Sequence, residues 1–411
     1  MNKEIPGIYN WTAHEGVCAP VRQPSVNVAI DNETWRDGMQ GTHSINHPTT
    51  EQRMDYLQAA AQNNYSDHFD IGFPASGETH KDQIIDLINF SVLEHLDLTF
   101  SAAGRGAAEG DVRAILEVAQ RTGVALEADL FLDASSLRAR VEGWDRGTKL
   151  GQLRANIVLA KKNGIPVMFV PERASVTSPE ELFEVCKIAA DEGVDRIAIA
   201  DTTGVLTPRA TSNIFRETFE RVGKPYPDIK FDFHEHEDLG MGIANSIVAV
   251  SEGVDRLHAT SRGIGERAGN VSLEQLLVVL NLQGFRNVDT SKIQQFALMA
   301  AEILSVPIGS HEPVVGLEST ATSSGVHAST YAKGKSVEPI YFAFNPADVG
   351  LKPIVKIGPL SGLSNVEAVC KRLGLDVTEE EKVALLNQAK TEWTLLSDEE
   401  VTHFLRRNGS K

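Results

Sequence analysis

Apolar and polar positions alternate in blocks along most of this chain. Short apolar runs read as strands: VNVAID (26–31), HFDIGF (68–73), LDLTFSAA (96–103), ALEADLFL (125–132), PVMFVPE (166–172), RIAIAD (196–201), IKFDFHE (229–235) and DRLHATS (255–261). Between them lie amphipathic segments of helical length, among them TTEQRMDYLQAAAQNN (49–64), THKDQIIDLINFS (79–91), EGDVRAILEVAQRTG (109–123) and SPEELFEVCKIAADEG (178–193). Strands this short, each followed by a helix, predict parallel pairing through βαβ crossovers. Eight such units within about 260 residues match the size of a closed (β/α)8 barrel. An open doubly wound sheet usually carries a glycine-rich turn after its first strand. Here that strand runs into NETWRDGMQ (32–40) instead.

The predicted fold class is therefore α/β, a (β/α)8 TIM barrel over residues 26–300. An extended arm is expected at 1–25. Residues 301–411 are expected to form a linker and a small, mainly helical C-terminal region: 306–365 are rich in Gly, Ser and Pro, and helical patterning returns in NVEAVCKRLG and EEEKVALLNQAK.

Composition narrows the partners. A formal net charge of −17 on 411 residues argues against nucleic acid. It also means that an anionic substrate must be met by a local cluster of arginines or by helix N-termini. No run of about 18 apolar residues occurs, so no membrane span is expected. The start, MNKEIPGIYNWTAHEG, lacks the apolar core of a signal peptide. Cys18, Cys186 and Cys370 are too far apart for a metal knuckle or disulfide framework, which fits a reducing cytosol. A cytoplasmic location is the expectation.

Catalytic groups of such barrels sit at the C-terminal ends of strands and in the loops that follow. Four runs fall there. Arg36 and Asp37 follow strand 1; an isolated pair of this kind also reads as a salt-bridged loop. His234 and His236 end strand 7, and residues i and i+2 of a strand face one side. Two imidazoles on one face suit a transition metal or zinc, whereas two hydrogen-bonded polar residues are the plainer alternative. After strand 8, Gly263, Gly265 and Gly269 permit close ligand approach, and Asn270 can cap a helix or offer an amide oxygen. After strand 6, Asp201, Thr202 and Thr203 offer a carboxylate and two hydroxyls, or again a cap. Together these groups suit a divalent ion that polarises a carbonyl.

The runs TWRDGMQ, DIGFPASG, FVPERA, ADTTGVLTP, FHEHEDLGMGIANS and GIGERAGN resemble those of the 2-isopropylmalate, homocitrate and citramalate synthase family, in the DRE-TIM metallolyase superfamily. Beyond the barrel, VVGLESTATSSGVH (314–327) and VKIGPLSGL (355–363) resemble its subdomains. The resemblance implies a Claisen-type condensation of acetyl-CoA with a small-molecule 2-oxo acid, giving a 2-hydroxy acid and CoA after thioester hydrolysis. It implies a divalent metal (Mg2+, Mn2+ or Zn2+) held by Asp37, His234, His236 and Asn270. Arg36 would polarise the ketone and stabilise the alkoxide. Gln40, Arg105 and Thr202, with Arg36, would bind substrate. Glu172 matches a family acid. His327 matches a histidine that reaches a neighbouring protomer's site as general base or acid, which implies a homodimer.

Some positions depart from the family pattern. Asn32, Glu33, Thr34 and Trp35 replace its usual opening. Asp70 stands for a usual Glu, Asp129 falls near a usual His, and Arg138 near another. These shape the pocket for the oxo acid's side chain, so a polar or anionic acid such as 2-oxoglutarate or phosphonopyruvate is an alternative to 2-oxoisovalerate. A leucine-regulatory domain, and feedback through it, are not expected in a chain ending at Lys411. A lyase of the 3-hydroxy-3-methylglutaryl-CoA type would place a cysteine in the loop after strand 8, where GIGERAGN has none. A barrel amidohydrolase would put its His-x-His at strand 1. An inactive binding barrel would not need Arg36, Asp37 and both histidines.

Overall fold

The computed structural model describes residues 22–41, 47–333 and 340–408. The predicted arm at 1–25 lies outside the described residues up to residue 21. Its end is tied down by Arg22, which meets Asp255 at 2.7 Å. The chain forms two compact units, Met1–Asp289 with Phe296–Pro307, and Thr290–Gln295 with Ile308–Lys411.

The first unit is a closed barrel of eight parallel strands in sequence order. They are β1 (Ala29–Asn32), β2 (His68–Asp70), β3 (Thr99–Arg105), β4 (Leu126–Leu132), β5 (Val167–Pro171), β6 (Arg196–Asp201), β7 (Lys230–Glu235) and β8 (Arg256–Ala259). β8 closes onto β1, with Arg256 opposite Ala29 and Ala259 opposite Asn32. Each strand falls within or beside its predicted apolar run. The helices between them are α1 (Thr50–Gln62), α2 (Glu78–Leu93), α3 (Glu109–Thr122), α4 (Ser136–Glu142), α5 (Arg146–Lys162), α6 (Pro179–Asp191), α7 (Pro208–Thr218), α8 (Gly242–Glu252) and α9 (Leu273–Gln283), followed by α10 (Ile293–Leu304).

Local chemistry sets these boundaries. Thr49 and Gln52 satisfy each other's backbone N–H groups at the start of α1. Ser178 and Thr207 cap α6 and α7, each followed by a proline at the first helical position. Along each strand one parity packs outward. Ile30, Phe69, Leu130, Phe169, Ile199 and Phe233 are fully or almost fully buried, and Phe233 meets Phe215 of α7 edge-on at 5.2 Å.

The other parity faces inward and is unusually polar. Arg256 of β8 reaches Glu127 of β4 at 2.7 Å, and these strands are not neighbours, so the pair crosses the barrel interior. Arg256 also meets Asp232 at 2.6 Å, and Arg196 meets the same carboxylate at 2.7 Å. This ionic layer forms a floor below the site.

The second unit is mainly helical: α11 (Gly325–Lys333), α12 (Leu363–Leu373), α13 (Glu379–Glu392) and α14 (Asp398–Asn408), with two-residue strands β9 (Ala321–Thr322) and β10 (Ile354–Val355) paired in parallel. Val366, Val369, Cys370, Leu385, Ala389, Val401 and Leu405 form its core. Two details differ from expectation. α11 arises inside the run read as irregular, and the boundary expected near 300 falls within α10, whose residues are shared between the units.

Candidate active site

The chain leaves β1 through a loop that is locked from beneath. Asn32 Nδ2 donates to Tyr56 Oη at 2.9 Å and to Ser66 at 3.0 Å, while its Oδ1 accepts from the Thr34 hydroxyl and backbone N–H. Thr34 Oγ1 accepts the N–H of Ser261, which stitches this loop to the one after β8. The departures from the family opening thus build the scaffold that carries Glu33, Arg36 and Asp37.

These three residues line a cavity of about 240 Å³ at the C-terminal end of the barrel, together with Gln40, Asp70, Asp129, Phe131, Met168, Glu172, Thr202, His234, His236, His258 and Arg267. Arg36 is clamped by carboxylates: Nη1 meets Asp37 at 2.7 Å and Glu33 at 3.3 Å, and Nε lies 3.4 Å from Asp70. Its guanidinium also stands 5.6 Å from the Phe131 ring centre. Burial works against the charge, but Glu33, Asp37 and Asp70 outweigh it and raise the arginine's pKa. Burial likewise opposes ionisation of Asp37, yet Arg36 and His234 hold its carboxyl below the usual range.

Asp37, His234 and His236 offer one oxygen and two nitrogens within 4.8 Å of one another, all three residues buried. His236 Nε2 lies 3.8 Å from Asp37 Oδ2. That is too long for a hydrogen bond and close enough for both atoms to reach one ion. Burial, then His234, lowers the His236 pKa to about 4, leaving the neutral ring that a metal needs. His234 Nδ1 is engaged by Glu33 at 3.1 Å, the carboxylate–histidine arrangement that fixes a ligand ring. The donor set therefore fits a divalent ion. Glu33, His234 and His258 also cluster, but Glu33 Oε1 is hydrogen-bonded to both rings, at 3.1 and 2.5 Å, so this group is a bonded network.

Asn270 supports Asp37. Its Nδ2 donates to Asp37 Oδ2 at 2.7 Å and to the Ile264 carbonyl at 3.0 Å. Gly265, at φ +149°, makes room for this: a Cβ there would stand 2.2 Å from that nitrogen. Thr202 Oγ1 accepts the Arg173 N–H at 2.9 Å, which leaves its hydroxyl hydrogen free. Glu172 is lifted above its ordinary pKa by burial, with Arg138 the first opposing charge. Glu237 Oε2 accepts the Gly242 N–H at the start of α8, and Arg267 grips Asp238 with two bonds of 2.8 Å.

Of the residues anticipated from sequence, Arg36, Asp37, Gln40, Glu172, Thr202, His234 and His236 share the cavity, with Asn270 behind Asp37. Arg105 does not join them. It ends β3 largely exposed, and its fork is taken by Asp111 at 2.7 and 2.9 Å. His327 lies on α11 of the second unit, stacked on Tyr341 with ring centres 3.9 Å apart. Sequence reasoning passed over His258, although strand parity in DRLHATS puts it on the same face as Arg256. Burial opposes its charge, but Asp31 and hydrogen bonds to Asp232 and Glu33 push its pKa up to about 10.

A closed (β/α)8 barrel with a carboxylate–imidazole mouth defines an enzyme of the barrel class. More closely, the chain belongs to the HMGL-like family, whose model matches residues 27–300. It is 28% identical over 372 residues to a Methanopyrus kandleri protein named "Probable 2-isopropylmalate synthase", covering 88% of this chain and 69% of that one. It is 30% identical over 326 residues to homocitrate synthase AksA of Methanosarcina mazei, covering 78% and 76%. The HMG-CoA lyase structure of Bacillus subtilis superposes with a TM-score of 0.56 over 70% of this chain and 96% of that one, at 18% identity, a likeness of fold. The chain spans between 52% and 69% of the length of three of the curated relatives it matches.

Proposed function

We propose that the protein condenses acetyl-CoA with a 2-oxo acid in a metal-dependent Claisen-type reaction, releasing a 2-hydroxy acid and CoA. The observation that carries this reading is the convergence of Asp37, His234 and His236 on one point beside Arg36. These three residues, with Asn270 behind Asp37, would hold the ion. A divalent cation there supplies Lewis-acid polarisation of the 2-oxo group.

The chain's own residues do the rest. Arg36, held in place by three carboxylates, stabilises the charge that develops on the ketone oxygen. The free hydroxyl hydrogen of Thr202 donates to the substrate carboxylate. Glu172, whose raised pKa suits proton transfer, takes a proton from the acetyl methyl group or gives one to the CoA thiolate that leaves when water hydrolyses the thioester of the condensed product. His327, from the neighbouring protomer of a homodimer, is its proposed acid–base partner. Asp70 and Asp129 line the cavity beside Met168, Val170 and Ala200, so both polar and aliphatic side chains of a 2-oxo acid belong in the test.

The test is CoA thiol release from acetyl-CoA with Mg2+, Mn2+ or Zn2+, against 2-oxoisovalerate, pyruvate, 2-oxoglutarate, oxaloacetate, glyoxylate and phosphonopyruvate. Release that depends on one acid, disappears with EDTA and returns with metal is expected. Silence across the panel with metal bound, together with cleavage of 3-hydroxy-3-methylglutaryl-CoA, would replace the condensation by a lyase.

A further inference from the structure

A second cavity, of about 570 Å³, opens beside the first between the loops after β1 and β2. It is lined by Arg53, His47, His80, Thr49 and Ser76, with Trp35 and Phe73 as apolar walls. We infer that this cavity is a binding site for a phosphoryl or phosphonyl group, with Arg53 as its anchor.

Arg53 sits on α1 with only 5% of its surface exposed. Its Nε and Nη1 are buried and have no hydrogen-bond partner. The guanidinium rests 5.5 Å from the Trp35 ring centre. Burial alone shifts its pKa, downward, and no carboxylate opposes that shift. A buried guanidinium left without a counter-charge is costly. The cost is removed when a ligand brings the negative charge, and the planar fork of arginine matches the oxygens of a phosphate.

The rest of the lining agrees. Two arginines and two histidines face this space and, among the described residues, no Asp or Glu does. That is a marked local bias in a chain of net charge −17. Thr49 Oγ1 accepts the Gln52 N–H at 3.2 Å, which fixes its place in the wall. His80 Nε2 accepts the Phe73 N–H at 3.3 Å, and its ring also bonds the Gln83 side chain. The unpartnered Arg53 fork, with Ser76 also in the lining, suits an oxyanion.

Arg36 and Gln40 line both cavities. A ligand anchored at Arg53 would therefore be continuous with the reacting centre. Resting on the condensation reading, the group has two sources: the phosphates of the acyl-CoA, or a phosphonate on the 2-oxo acid.

The first measurement is thermal unfolding of the full chain and of Arg53→Gln, with inorganic phosphate against chloride at equal ionic strength. Phosphate should raise the midpoint of the wild type and not of Arg53→Gln. Arg53→Lys, which keeps the charge without the fork, should respond in part. Losing an unpaired buried charge should leave the ligand-free variant at least as stable as the wild type. Calorimetry then separates the sources. If the acyl-CoA is the source, Arg53→Gln should weaken acetyl-CoA by about tenfold or more and leave S-acetylpantetheine unchanged. If the oxo acid is the source, it should weaken phosphonopyruvate and spare pyruvate. Equal phosphate stabilisation of wild type and Arg53→Gln, or none in either with every affinity unchanged, overturns the site. An Arg53-dependent phosphate response in a protein that condenses nothing would keep the site and remove the condensation reading.

Discussion

Glu33 Oε1 lies 3.1 Å from His234 Nδ1, so the histidine's Nε2 is the ring nitrogen left for a ligand. The carboxylate is held well below its ordinary pKa: burial opposes this, but His234 and Arg36 outweigh burial. A charged carboxylate behind an imidazole fixes the ring and raises its basicity. Glu33→Gln keeps the shape and removes the charge. Its affinity for Mn2+ is expected to fall by about tenfold to a hundredfold, as titration calorimetry would register. An unchanged affinity would show that Glu33 serves only His258.

Arg36 meets Glu33, Asp37 and Asp70 through a planar fork that lysine cannot reproduce. Arg36→Lys and Arg36→Ala are each expected to lower kcat by about a hundredfold to a thousandfold. Mn2+ affinity should change far less. Turnover near that of the wild type, with the best substrate of the panel, would remove Arg36 from the reaction.

The barrel was legible because outward strand positions such as Ile30, Phe69 and Phe233 give each strand an apolar signature, and a helix follows each time. The His234–His236 pair was legible through the two-residue period of a strand. Less visible was what stands opposite. Parity says that Arg256 faces inward, but not that its partner is Glu127, distant in sequence and across the barrel. The place of Arg105 was hidden for the converse reason: Asp111, in the first turn of α3, pairs with it locally, outside the cavity. Arg53 reads in sequence as one charged residue on an amphipathic helix, and only the packed loops around it make it a buried cation.

Asp129 lines the cavity while its Oδ1 is buried without a hydrogen-bond partner. Burial first, then repulsion from Asp70 and Glu127, raises its pKa well above 3.8. The folded protein therefore keeps this proton at pH values where the unfolded chain has released it. Its contribution to stability is fully present below about pH 4 and declines as pH rises toward the folded-state pKa. Asp129→Asn, neutral at every pH, escapes that decline. Thermal unfolding should show the variant gaining on the wild type between pH 5 and pH 8. A gain that is the same at both pH values would mean that the carboxyl is already ionised in the fold.

Asp232 accepts from Arg196 at 2.7 Å and Arg256 at 2.6 Å, and stands 3.3 Å from His258 Nε2. It is fully buried at the centre of the ionic floor. Removing one member of such a network leaves the others desolvated without compensation, and that penalty exceeds any Coulomb energy the pair contributed. Asp232→Ala takes from Arg196 its carboxylate and removes one partner each from Arg256, which keeps Glu127, and from the protonated His258, which keeps Glu33, so a loss of about 3–5 kcal/mol is expected. Arg196→Met is the contrasting change, because Asp232 keeps Arg256 and the replacement fills similar space with apolar atoms. Its cost should be clearly smaller. Urea unfolding of both variants, compared at unchanged m-value, checks the order. If the two lost equal stability, the floor would be acting as a set of independent pairs, and His258 would owe its charge to Asp31 and Glu33 alone.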